Sequence, residues 1–169
     1  DRQPLKQGFT LGYLWGIFFF TGMFYWFIYT SESAGIPFVI SLLGMVLLVL
    51  YLALYFGFFG FFYVLWRDRP IMEKLFLYPS AWVALEFCRD RLFSGFGWAC
   101  LGHSQYKVLP VIQIADITGV FGISFLIVMV NVVVKEMMVG AWGKNLSAGI
   151  ALGFLSITLG YGFFRLSTP

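Results

Sequence analysis

Trp82, Glu86, Arg89 and Phe93 stand at i, i+4, i+7 and i+11. A helix through them carries all four on one face, with Glu86 and Arg89 spaced for an ion pair. Ionisable side chains within so apolar a chain are costly. They are expected to face a helix-bundle interior or a polar cavity, where they mark function by default. Two readings fit the pair: it lines a cavity, or it pins its helix to the next segment through buried hydrogen bonds. Just downstream, Gly95-Phe96-Gly97-Trp98 and Gly102-His103-Ser104-Gln105 combine flexible backbone, an indole donor and three polar side chains. That pattern suits an entry route for a lipid or peptide, and equally a turn whose polar groups satisfy their own backbone. Trp98, His103, Gln105, Glu86 and Arg89 are the candidate substrate-binding residues.

Other chemistries find less support. Asp116, Thr118, Ser124 and Asn131 fall on the following helix, where Asp116 is suited to bonding backbone groups of the connection before it. Cys100, Glu86 and Lys107 could in principle serve as nucleophile, base and oxyanion donor. Nothing in their spacing brings them together, and Cys100 lacks an adjacent base. No catalytic residue is therefore assigned. Two cysteines, Cys88 and Cys100, form no CxxC, and with the single His103 they cannot build a Cys/His zinc site. No metal or cofactor is expected.

The elements that must position these residues follow from composition. The chain has 169 residues, 60% hydrophobic and 11% charged, with a net charge of +3. Counting Gly and leaving out Tyr, the apolar share is about 66%, where soluble domains run roughly 45–50%. A water-soluble fold of this size cannot hide so much apolar surface, so the sequence reads as an all-α integral membrane protein. The longest basic cluster is Arg67-Asp68-Arg69, which is too little for a nucleic-acid footprint.

Residues 8–31 carry no charge over 24 positions, about 36 Å of helix against a hydrocarbon core of about 30 Å. Ser33-Ala34-Gly35-Ile36-Pro37 reads as a turn, and 31 uncharged residues follow at 36–66. The expectation is about five transmembrane helices, over residues 8–30, 36–66, 71–92, 110–138 and 145–165, with an irregular or re-entrant connection at 94–109. The third should pack among the others with one polar face, since only 75–85 is free of charge. Placing the start on the cytoplasmic side puts seven basic residues there and four opposite, which favours an outer-face end. Small residues at Gly12/Gly16 and Gly149/Gly153 suit close helix approach in lipid. Opening on Asp1 and stopping at Pro169 directly after an apolar run, the chain reads as a segment of a longer protein.

Several of these segments, taken in order, resemble a known family. Pro79-Ser80-Ala81-Trp82-Val83-Ala84-Leu85-Glu86-Phe87-Cys88-Arg89, then Phe93-Ser94-Gly95-Phe96-Gly97-Trp98-Ala99-Cys100-Leu101-Gly102-His103-Ser104-Gln105, then Gly119-Val120-Phe121-Gly122-Ile123-Ser124-Phe125 with Asn131 resemble the membrane domain of bacterial apolipoprotein N-acyltransferases. Gly12-Tyr13-Leu14-Trp15-Gly16 with Phe24-Tyr25-Trp26 is similar to that family's third span. Gly97 departs from the family's usual Gly-Phe-Pro-Trp. The resemblance implies two spans before Asp1 and a nitrilase-like catalytic domain after Pro169. It also implies transfer of an acyl chain from a membrane phospholipid to the N-terminal S-diacylglyceryl cysteine of a lipoprotein. The family's catalytic cysteine, glutamate and lysine belong to the nitrilase-like domain, so this chain would be the membrane platform in a bacterial cytoplasmic (inner) membrane. The alternative is a non-enzymatic membrane anchor or transporter subunit, such as a docking module for a polyprenol-phosphate glycosyltransferase.

Overall fold

The computed structural model describes residues 3–92, 95–139 and 145–167, with the side chains of 145–147 left aside. They form helices and connections, and no strand occurs among them. The helices are α1 (Gln3–Phe24), α2 (Trp26–Ser33), α3 (Phe38–Leu65), α4 (Ile71–Arg91), a 3-10 segment at Leu101–Gln105, α5 (Leu109–Ile112), α6 (Ala115–Met138) and α7 (Asn145–Ser167). The chain divides into two compact units, Asp1–Leu65 and Trp66–Pro169.

In the first unit the span expected at 8–30 is two helices, bent by 44° at Tyr25. A glycine-terminated cap closes α2: Gly35 sits at φ +83 and donates to Glu32 O at 2.9 Å, while Ile36 N donates to Ser31 O at 3.0 Å. This arrangement uses a left-handed residue to satisfy the last carbonyls of a helix. Pro37 then opens α3, its carbonyl accepting from Ser41 N at 3.1 Å. Along α1, Gly8, Gly12 and Gly16 meet α3 at Gly60, Phe56 and Ala53, so closely that a Cβ on any of them would overlap α3 backbone. In lipid, where burying apolar surface gains little, such backbone proximity is what holds two helices together. Phe20, Leu52 and Ala53, all fully buried, complete this core.

In the second unit α4 runs beside α6. Glu73 lies in the first turn of α4 and Arg89 and Arg91 in its last, each favourable to the helix dipole. Leu75, Tyr78, Pro79 and Met129 are buried among these helices. Lys74 Nζ lies 3.6 Å from Glu136 Oε1, with Lys135 Nζ on the same oxygen at 2.7 Å. Gly119, at φ +63 and ψ −173, breaks the helical path of α6. That backbone region is open essentially to glycine alone. Gly162 of α7 is buried directly against the Pro110 carbonyl.

Among the described residues three helices, α3, α6 and residues 148–167 of α7, are long and apolar enough to cross a membrane, and a fourth span arises if α1 and α2 count as one. The protein is thus an all-α membrane bundle. Helix α4 does not pass that test, because it carries Glu73, Lys74, Glu86, Arg89, Asp90 and Arg91.

Candidate functional site

The site is built where the end of α4 meets the connection to α6. Glu86 and Arg89 are 3% and 2% exposed, so both charges are withdrawn from solvent. Oε1 of Glu86 accepts from the Trp82 indole Nε1 at 2.9 Å, one turn back on α4, and from the backbone N–H of Leu101 at 2.6 Å. Nη2 of Arg89 donates to the Cys100 thiol at 3.6 Å, and the Arg89 carbonyl accepts from Phe96 N at 2.9 Å. Cys100 in turn donates to Gly97 O at 3.4 Å. Both ionisable side chains therefore grip the connection, and among the described residues they form no ion pair with each other. The i, i+3 spacing permitted that pair. The backbone donor of Leu101 and the thiol of Cys100, which no local pattern reveals, take their place.

The connection is shaped to be gripped. Gly95, at φ +77, and Gly97 lie against the Asp90 carbonyl and carboxylate, where a side chain would collide. Ala99 adopts φ +61, a left-handed conformation uncommon for a residue with a Cβ. The connection then tightens into the 3-10 segment. There Gly102 N donates to the fully buried Ser124 Oγ of α6 at 2.9 Å, tying the second wall of the site to the first. Burial, and after it the Glu86 carboxylate, push the Cys100 thiol above its ordinary pKa despite the guanidinium beside it. A thiol so held stays protonated near neutral pH and is a poor nucleophile.

The outward side of the connection is different in character. Trp98 is 60% and Tyr106 65% exposed, and His103 is exposed as well. Lys107 Nζ stands 5.4 Å over the Tyr106 ring. Gln105 Nε2 donates to Ser104 Oγ at 3.1 Å, and Ser104 donates to Leu101 O at 2.7 Å, so part of this polar run does satisfy its own turn. Phe93, the last residue of the expected polar face, lies outside the described residues.

Asp116 does not serve the connection's backbone as expected. Its Oδ2 accepts from Tyr161 OH at 2.8 Å and lies 3.2 Å from Arg165 Nε, both on α7. Thr118 donates to Ile114 O at 3.0 Å, and Asn131 is exposed. Sequence reasoning placed Ser124 on this helix without its role, and no pattern pointed to its bond with Gly102. Glu86 does come within electrostatic reach of Cys100, a proximity that spacing alone did not disclose. Among the described residues no group of His, Cys, Asp and Glu is gathered as a metal site.

Comparison with known proteins bears on the whole chain. The family profile described as the apolipoprotein N-acyltransferase N-terminal domain matches residues 1–133. An apolipoprotein N-acyltransferase of Geobacter metallireducens is 38% identical over 175 residues, covering 99% of this chain and 33% of that protein. Relatives of the same name from Chromobacterium violaceum and Photobacterium profundum are 33% and 31% identical, covering 76% and 78% of the chain. The chain spans about a quarter to a third of the length of these relatives. Its helical bundle, its braced connection and this agreement over most of its length lead to one conclusion: the chain belongs to the apolipoprotein N-acyltransferase family and corresponds to that family's N-terminal membrane domain.

Proposed function

We propose that this chain is the membrane platform of an enzyme that transfers an acyl chain from a phospholipid to the N-terminal diacylglyceryl cysteine of a lipoprotein. The observation that carries the reading is the connection from Gly95 to Val108, clamped from beneath by Glu86, Arg89 and Ser124 while Trp98, Tyr106 and His103 stay open above it. A rigid underside with an amphipathic outer side suits lipid presentation, since indole and phenol rings favour the headgroup boundary.

In this reading Trp98, His103 and Gln105 border the place where the two lipid substrates meet, and Glu86 with Arg89 are positioning residues that hold it in shape. The bond-making groups belong to a nitrilase-like domain beyond this chain, as the family resemblance implies. There a thiolate would take the acyl group as a thioester and pass it to the lipoprotein's α-amino group. The platform would lie in the inner membrane with the Gly95–Val108 connection on its outer side, in keeping with the distribution of basic residues.

The test is mass spectrometry of a lipoprotein from cells whose sole N-acyltransferase is the full-length protein. An amide-linked third acyl chain is expected, and it should fall sharply with Glu86→Ala. Normal transfer and normal abundance with Glu86→Ala would remove the positioning role, and no third chain with the unaltered protein would overturn the enzyme reading.

A further inference from the structure

Glu86 and Arg89 are each half used. Glu86 Oε1 carries two hydrogen bonds while Oε2 is buried without a partner; Arg89 Nη2 meets the Cys100 sulfur while Nε is buried without a partner. The bare atoms are complementary, one an acceptor and one a donor, on side chains one turn apart on the same helix, a spacing from which a carboxylate and a guanidinium reach each other. A thiol is a weak acceptor for a guanidinium, so the observed state leaves much of the bonding capacity of Arg89 unspent. The backbone of the connection is itself under constraint at Ala99, φ +61.

From these observations we infer that residues 95–108 of the connection form a releasable strap: when Cys100 and Leu101 lift from α4, Glu86 and Arg89 turn from them and pair with each other. Without that pairing, lifting the strap would strand two buried charges, which is strongly unfavourable. With it, each charge exchanges a partner on the strap for a partner on its own helix. The Gly102 to Ser124 bond breaks in the same motion. As a step that admits an acyl chain beneath Trp98, the motion rests on the platform reading; as a motion of this chain it stands alone.

The test uses the full-length protein in membranes, treated with N-ethylmaleimide, with labelling of Cys100 read by peptide mass spectrometry. Exposed Cys88 serves as an internal control for reagent access. Glu86→Gln keeps an oxygen to accept from Trp82 and Leu101 but cannot form the ion pair of the lifted state. Cys100 labelling should therefore slow, by about tenfold for a charge-assisted pair. Arg89→Gln should slow it too, and the double variant should be no slower than either single one. A static brace predicts the reverse, because the amide is a weaker acceptor and the strap would open more often. Unchanged or faster labelling in Glu86→Gln overturns the proposal, as does a double variant whose effect is the product of the two. Should Glu86→Gln fail to accumulate, Arg89→Gln alone decides in the same way. Labelling needs no turnover, so slowed labelling in Glu86→Gln together with no acyl transfer by the unaltered protein would count against the platform reading and leave the strap intact.

Discussion

Ser124 shows how much a single hydroxyl can decide. It is fully buried on α6 and accepts the backbone N–H of Gly102, which has no other bond in the 3-10 turn. Ser124→Ala leaves that donor buried and unsatisfied, a cost of about 1–3 kcal/mol. It should lower the thermal midpoint of the full-length protein by a few degrees in a scanning fluorescence measurement. At Ala99 the expected sign is opposite. Glycine accepts φ +61 without the clash that Cβ makes there, so Ala99→Gly should raise the midpoint by an amount worth up to about 1 kcal/mol. Gly119→Ala, at a backbone angle essentially closed to side chains, should cost about 1–3 kcal/mol in the same assay. None of these backbone angles can be read from residue types. Trp82, Glu86 and Arg89 were identifiable because charge in an apolar helix is conspicuous, whereas their partners, a main-chain amide and a thiol, carry no such mark.

At the scale of elements, hydrophobic run length is the strongest guide to α1, α3, α6 and α7, and it says little of α4, which carries six charged residues. It missed the break at Tyr25, a residue whose own backbone angles stay near helical values and which follows Gly22 by three positions. The small residues divide into two kinds. Gly12 and Gly16 do mediate close helix approach, against α3 within their own unit. Gly149 and Gly153 have no described atom near where a side chain would project, although the same four-residue spacing marks both pairs. Spacing reports that a helix could come close, while only the tertiary arrangement says whether one does. Gly12→Leu should therefore disrupt α1 on α3 and reduce the amount of folded protein recovered from membranes. Gly22→Ala, in the same helix with open space around it, should be tolerated. Quantitative immunoblotting of the two variants against the parent checks the contrast.

At the scale of the whole molecule, composition alone pointed to a membrane protein, and an ordered set of short motifs carried the family. What remained hidden was the division of labour in the connection, with its underside devoted to structure and its outer side left open. That division makes a prediction for the complete enzyme. On the platform reading proposed above, Trp98→Ala, removing a largely exposed ring, should raise KM for the phospholipid donor by roughly tenfold with little change in thermal midpoint. Ser124→Ala should do the reverse, and paired kinetics and melting curves on the two variants separate the roles. The glycine seam between α1 and α3 has a further meaning for a protein whose neighbours are fatty acids. Where two backbones touch, a hydrocarbon tail has no room to wedge between them, so the seam is a wall to lipid traffic. A hydrocarbon tail moving along this unit passes instead on the flanks of the seam, by the exposed rings of Trp15 and Phe18.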